Sequence, residues 1–345
     1  MQETSVDRTK AVIGAWTDRP TGQTKKIVDQ YKKAYAEIDK QLKTIHNKFL
    51  SGVKPEDYYN EVIKFERLTN LQKQIGGFYR DAAKKAGIIQ IESSKTAMTN
   101  VYYQNMYSVN WFSGAKEFTY FTVLNNSAVE VSVFGSPKVW KDIAKSKRKG
   151  LLPYQAKHGT LLETLLANNQ KDLAKLRQTL TQAIIQGESY TKTTKQIKTI
   201  LETTASNAVR IARTEGARNM NSGALANTEA AIDAGVDLNR KAIETLDSKT
   251  REQSAIIDDQ EVPGNEPFIY PGGLKVMIIG NSGVAAYDIN ERGRSIDVVS
   301  GTPPGQRTGR DPVTQQPLTA TFKNFDDWMT KNNLKYNRSG KIVPK

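Results

Sequence analysis

The sequence predicts a mainly α-helical chain with a small C-terminal α+β domain, its N-terminal part being an elongated helical hairpin or bundle. Three observations carry this expectation. Apolar residues recur at steps of three and four from Lys25 onward, as on one face of a helix. Beyond Asn239 they recur instead in short β-prone runs separated by Gly and Pro. The chain has 345 residues, 38% of them hydrophobic, which suffices for more than one core.

Residues 1–22 are polar and interrupted by Pro20 and Gly22, which reads as an arm. The second region, 23–135, opens with Ile27, Tyr31, Tyr35, Ile38, Leu42, Ile45 and Phe49 on one helical face. "SGVKP" at 51–55 ends that helix, and a second run follows with Val62, Phe65, Leu68, Leu71, Ile75 and Phe78. Two long amphipathic helices with a short turn make an antiparallel hairpin. Gly76, Gly77 and Gly87 loosen the pattern before a third segment, 93–112, rich in aromatics (Tyr102, Tyr103, Tyr107, Trp111, Phe112). A packing face on the hairpin is the favoured use for these rings, with base stacking the alternative. "VEVSVFG" at 129–135 alternates as a strand would.

The third region, 136–239, is a helical part leading into the small domain. Ser136-Pro137 suits an N-cap followed by a proline in the first turn. The segment they open places Lys141 and Lys145 one helical turn apart and crowds Lys147, Arg148 and Lys149 at its end. This is the densest positive cluster in the chain and the candidate DNA contact, although cations also suit a helix C-terminus. Leu173, Leu176, Leu180 and Ile184 define a helix stopping at Gly187; Ser189 caps the next, and a long one ends at Gly235. Residues 240–299 form the small α+β part, with strands expected at "KAIETL", "VMII" and "IDVV". Residues 300–345 hold a Pro/Gly linker to 317, a short helix "FKNFDDWMTKN" and a basic tail.

The chain has no cysteine and two histidines, His46 and His158, far apart in sequence. Disulfides, thiolate metal sites and cysteine nucleophiles are excluded, and no metal or other cofactor is expected. No phosphate-binding Gly-Lys-Ser/Thr loop, dinucleotide-binding glycine motif or His-Glu-x-x-His pattern occurs, so no enzyme is expected. The net charge of +14 favours a polyanionic partner. The N-terminus lacks the apolar run of a signal peptide, and no apolar run is long enough to cross a bilayer, so a cytoplasm-like, reducing compartment is expected.

"RIARTEGARNMNSG" followed about thirty residues later by "DSKTREQSAIIDDQEV" resembles the Mu F-like head-morphogenesis (minor head protein) family of tailed phages. That family pairs an Ala-Arg-Thr-Glu helix with an Asp-x-Arg-Thr-Arg-x-x-His-x-x-x-Asp-Gly segment, a Phe and Pro loop, an Asn-Cys-Arg-Cys strand and a late Phe-x-x-Trp helix. Here Ala212, Arg213, Thr214 and Glu215 match the first motif, and Asp247, Thr250, Arg251 and Asp258 match the second. "EPFIYPGG" and "NFDDW" fit the loop and the late helix. Ser254 stands in place of the family's His, Lys249 in place of its first Arg and Asp259 in place of its Gly. "DINERG" keeps Asn290 and Arg292 but neither Cys. The family's His and Cys pair resemble a metal or redox cluster, and their joint absence implies that they act as a unit. The resemblance covers roughly residues 130–330. It implies head assembly near the portal, with partners among portal, major capsid or scaffold proteins; the net charge of +14 suits non-specific contact with packaged double-stranded DNA, and the short apolar runs suit no membrane. It also implies a place inside the virion, after assembly in the bacterial host cytoplasm, with ejection alongside the genome left open.

Glu215 and Arg218, three apart on a helix, are expected to pair, and Arg213 is expected to face the α+β part. Arg251, with Asp247, Thr250 and Asp258, is expected to clasp that part to the helix carrying Arg213, Thr214 and Glu215, over Ile256 and Ile257. The alternatives are an enzyme of ribosyl-transfer or nuclease type, pointed to by the Gln260-Glu261 and Asp258-Asp259 pairs, and a helical scaffold that contacts only protein.

Overall fold

The computed structural model describes residues 5–113, 120, 122–135, 137–148, 151, 161–299, 307–338 and 341–345. Its helices are α1 (Ser5–Ile45), α2 (Tyr58–Ile63), α3 (Arg67–Phe112), α4 (Asn126–Phe134), α5 (Pro137–Asp142), α6 (Leu161–Ile185) and α7 (Tyr190–Asp233), followed by the short α8 (Glu252–Ile257), α9 (Ala285–Asp288) and α10 (Phe325–Lys331). The chain divides into two compact units, one of residues 21–92 and 155–212, the other of residues 1–20, 93–154 and 213–345.

The first unit is a helical bundle. Ile27, Tyr31, Ile38 and Leu42 of α1 meet Leu71, Ile75 and Tyr79 of α3, Leu176, Leu180 and Ile184 of α6, and Ile197 and Leu201 of α7 in one apolar core. Each such aliphatic side chain contributes about 1.5–3 kcal/mol through burial. His46 packs edge-on against Tyr58 and Tyr190, at ring distances of 5.8 and 5.6 Å; His158 lies outside the described residues. The hairpin reading misplaces Phe65, which is 82% exposed. Phe65 and Glu66 take left-handed φ values of 52° and 56°, so the chain kinks between α2 and α3 and the apolar register slips by this residue. The helix of the third segment is also no separate element, because α3 runs unbroken through Gly76, Gly77 and Gly87. Each glycine costs a helix about 1 kcal/mol, less than the packing of Leu71, Ile75 and Tyr79 returns. The expected polar arm is likewise helical from Ser5, since extending a formed helix costs far less than starting one.

In the second unit Tyr102 packs beside Leu124, Val129 and Val133, whereas Tyr107 and Trp111 stack on each other at 6.4 Å and stay half-exposed. The expected strand at 129–135 is the helix α4. Asn125 caps it by accepting the Ala128 amide at 2.8 Å, and Gly135 ends it at a φ of 68°. Val129, Val131, Ser132 and Val133 are all buried, so the alternation of side chains never had to select one face. Ser136 lies outside the described residues.

The strands are β1 (Leu238–Ile243), β2 (Glu261–Pro263), β3 (Phe268–Tyr270), β4 (Leu274–Val276), β5 (Arg294–Val299), β6 (Arg307–Arg310), β7 (Pro317–Phe322), β8 (Leu334–Tyr336) and β9 (Ile342–Pro344). β1 is the centre of an antiparallel sheet ordered β2-β1-β5, with Arg240 opposite Asp297. The other strands form two-stranded hairpins, β3-β4, β6-β7 and β8-β9. Part of the expected linker is therefore β6, and the expected basic tail folds back as β8-β9. Both are held by a core of Leu246, Phe322, Phe325, Trp328 and Leu334. Asn324 caps α10 through the Asp327 amide at 2.9 Å, and the Trp328 indole donates to the Arg310 carbonyl at 3.0 Å.

Candidate functional site

The second half of α7 turns a polar face into the second unit. Asn, Ser and Thr disfavour helix interiors, yet "NMNSGALANT" lies wholly inside α7. Each of several buried side chains there answers a particular strand or loop. Asn221 donates to the carbonyls of Ile279 and Gly293, both at 3.0 Å, and accepts the Ser295 amide at 3.0 Å. Asp297 of β5 accepts Thr228 at 2.5 Å, Asn227 at 2.8 Å and Asn105 at 3.4 Å. Burial raises its carboxyl above the usual carboxylate range, and these donors offset that only in part. Arg218 donates to Glu215 at 2.9 Å, as the three-residue spacing requires, and to the Ser132 carbonyl at 3.3 Å. Burial still raises the Glu215 carboxyl against the pull of Arg218.

The loop after β1 and the loop before β5 share a cluster of ion pairs. Asp247 sits in a turn, accepting the Lys249 amide at 2.9 Å. Its carboxylate takes a two-pronged contact from Arg292, at 2.6 and 2.7 Å. Burial works to raise Asp247, but Arg292 and the Lys249 amide outweigh it and hold the carboxyl below its ordinary value. Arg292 also donates to the Thr250 hydroxyl at 3.2 Å. Arg251 donates to the carbonyls of Ala286 and Tyr287 and pairs with Glu291 at 2.8 Å. Asp258 is the most enclosed: its side chain is 1% exposed. It takes both prongs of Arg307 and the amides of Glu244 and Phe325, each amide at 2.7 Å. One carboxylate thus ties the end of β1 to β6 and to the start of α10.

Three expectations are corrected here. Arg251 meets neither Asp247 nor Asp258, because residues 247–250 form a turn rather than helix and its side chain points to the α9 loop. Arg213 is exposed, and Thr214 rather than Arg213 bonds to the α+β part, accepting the amide of Asn290 in the turn before β5 at 3.0 Å. Ile257 is buried as expected, but Ile256 is 59% exposed, on the outer side of α8. The basic cluster is also rearranged. α5 ends at Asp142 and Lys145–Lys147 is a separate turn, so Lys141 and Lys145 do not share a helix. Lys141, Lys145 and Lys147 are exposed, Arg148 is half-buried, and Lys149 lies outside the described residues.

Sequence reasoning missed Glu244, Glu291 and Arg307 as partners. The clue for Glu291 was positional. Ser254 stands where the resembling family has His, and Glu291 and Gly293 stand at its Cys positions; the structure brings the three together. Ser254 donates to the Glu291 carboxylate at 2.8 Å, and Gly293 donates its amide to the same group at 2.8 Å. A Cβ on Gly293 would lie 2.0 Å from the Glu244 carboxylate, so any larger residue would have to displace that side chain. Burial, then Glu291 and Asp258, push the Glu244 carboxyl well above its ordinary value, against Arg292 and Arg294. Asp259, replacing the family's Gly, takes a left-handed φ of 71° and pairs with Lys241 at 2.6 Å. Among the described residues no group of three or more acids or histidines could hold a metal ion. Gln260 and Glu261 are also engaged. Gln260 exchanges hydrogen bonds with the Ile269 backbone at 3.1 and 2.6 Å, and Glu261 accepts from Asn239 at 2.8 Å.

Residues 174–278 match the family described as phage Mu protein F like protein. The chain is 27% identical over 243 residues to a protein of Enterococcus faecalis (strain ATCC 700802 / V583) named NAD(+)–arginine ADP-ribosyltransferase EFV. That match covers 63% of this chain and 48% of the relative. The chain thus spans about half the length of that curated relative. No solved structure matches.

Proposed function

We propose that the chain is a minor head protein acting in head assembly near the portal, inside the virion, a reading supported by the match of residues 174–278 to the family described as phage Mu protein F like protein. One observation carries the reading: the matched motif residues Thr214, Asp247, Thr250, Arg251 and Asp258 each bond to a distant loop or strand, and Glu215 is held by Arg218 within α7. Mass spectrometry of purified virions tests it. The chain should be present at a small fraction of the major capsid protein, and its absence from virions would overturn the proposal.

We also propose that it touches packaged double-stranded DNA without sequence preference through Lys141, Lys145, Lys147, Arg148 and Lys149, supported by the net charge of +14. Replacing Lys145, Lys147, Arg148 and Lys149 by Gln should weaken binding equally on any sequence and flatten its salt dependence. Parental affinity in that variant would remove the assignment.

A second reading, ADP-ribosyl transfer to arginine, is favoured only by the name of the enterococcal relative. The occupied side chains of Gln260 and Glu261 count against it. Turnover of NAD by the purified chain would revive it.

A further inference from the structure

We propose that Arg80 and Arg177 form a phosphate-binding notch on the bundle unit, floored by Gly76. α3 and α6 lie side by side, in a register fixed by Gln72 donating to Thr181 at 2.8 Å and Tyr79 to Asn169 at 3.3 Å. Between these bonds lies Gly76. A Cβ there would sit 3.2 Å from Arg80 Nη1, 3.3 Å from Arg177 Nη2 and 3.4 Å from Leu173 Cδ1. Two guanidinium groups from different helices therefore converge above a bare stretch of backbone. The separation of those two nitrogens cannot exceed the sum of the first two distances.

Like charges held this close call for an anion between them, and the described residues supply none. Among the described residues neither arginine forms an ion pair. The nearby acids are engaged elsewhere: Asp81 pairs with Lys85 at 2.7 Å, and Asp172 accepts the Thr204 hydroxyl at 2.9 Å and the Tyr79 hydroxyl at 3.4 Å. Lys73 and Lys84, both exposed, extend the positive strip along α3 on either side. Each guanidinium offers a planar fork of donors matched to the oxygens of a phosphate. Both arginines are exposed, so a group as large as a phosphodiester can reach them. The ligand is a phosphate group, from a nucleic-acid backbone or as free phosphate. The notch uses none of Lys141–Lys149, so it stands or falls apart from the DNA contact assigned to them.

The test uses the full chain, the parent and Arg80→Gln/Arg177→Gln, with the single variants to assign the arginine Nε–Hε resonances by NMR. On titration with inorganic phosphate, the Arg80 and Arg177 signals should shift together and saturate, and losing either side chain should abolish the response of the other. Shifts no larger than that of exposed Arg213 would overturn the proposal. In a second arm, binding of mixed-sequence double-stranded DNA is followed against salt. Loss of one phosphate contact should lower the slope of log affinity against log salt by roughly 0.9. A saturating phosphate response with an unchanged DNA slope assigns the notch to free phosphate, and parental behaviour in both arms refutes it. The variant with Lys145, Lys147, Arg148 and Lys149 replaced should keep the phosphate response whether or not it binds DNA.

Discussion

The two units solve the same problem by different means. The bundle buries leucines, isoleucines and tyrosines along long helices in one apolar core. The C-terminal part has strands of three to six residues, too short to build such a core, and fills the gaps with Asp258–Arg307, Asp247–Arg292, Arg251–Glu291 and the asparagines of α7. An apolar contact that is lost leaves a hole. A buried ion that loses its partner leaves an uncompensated charge. The polar part should therefore be the more fragile to single substitutions, and fail more abruptly.

Asp258→Asn should have the largest effect. It strands the buried Arg307 guanidinium, at about 3–5 kcal/mol, and limited proteolysis should open residues 240–345 while the bundle stays helical. For comparison, Leu176→Ala removes a fully buried side chain of the bundle and should cost about 2–5 kcal/mol. It should leave the C-terminal part resistant to protease. If both variants lose resistance everywhere, the two units unfold together and the contrast fails.

Arg251→Ala should be milder, at about 1–3 kcal/mol, because Glu291 keeps the donors of Ser254 and Gly293. Arg251→Lys should recover only part of the loss, since an ammonium cannot reach both carbonyls and the carboxylate. Equal melting of Arg251→Ala and the parent would mean that its ion pair contributes nothing.

The smallest effect is on pH dependence, with opposite signs at two carboxyls. Glu244 is raised by burial, Glu291 and Asp258. Its contribution is fully present below its unfolded pKa of about 4.3 and is lost as pH rises through the raised value. Asp247 is depressed, so its contribution is present above about 3.9 and is lost as pH falls through the lowered value. Glu244→Gln should thus melt increasingly above the parent as pH is raised, by a few degrees. Asp247→Asn should fall below the parent at neutral pH and approach it in acid. Parallel melting curves across pH would show that neither carboxyl is perturbed.

The bundle was legible because burial along a helix prints a period into the sequence, and Ile27 to Leu42 follow it. It failed at Phe65, where a kink rather than a change of residue type breaks the register. The polar cluster was legible as a set of residue types but not as a set of pairs. Glu215 and Arg218 were paired correctly because three residues of helix fix their separation. Arg251 was paired wrongly because its partner Glu291 lies 40 residues away, and no local spacing encodes that fold-back. β6 was hidden for the same reason, since Arg307 is drawn into order by Asp258, far upstream. The α7 asparagines did leave a signal: such a run is costly in a helix interior unless its side chains find partners, as those of Asn221 and Asn227 do.

The most direct test of the ionic clasp is a double-mutant cycle on Asp258 and Arg307, reading the unfolding of the C-terminal part in the two single variants, Asp258→Asn and Arg307→Gln, and in the combination. The account predicts strong non-additivity: each single change leaves its partner stranded, so the double variant should cost clearly less than the sum of the two, with a coupling of about 1.5–3 kcal/mol. Effects that simply add, within about 0.5 kcal/mol, would contradict it and mean that the buried pair does not hold this part together.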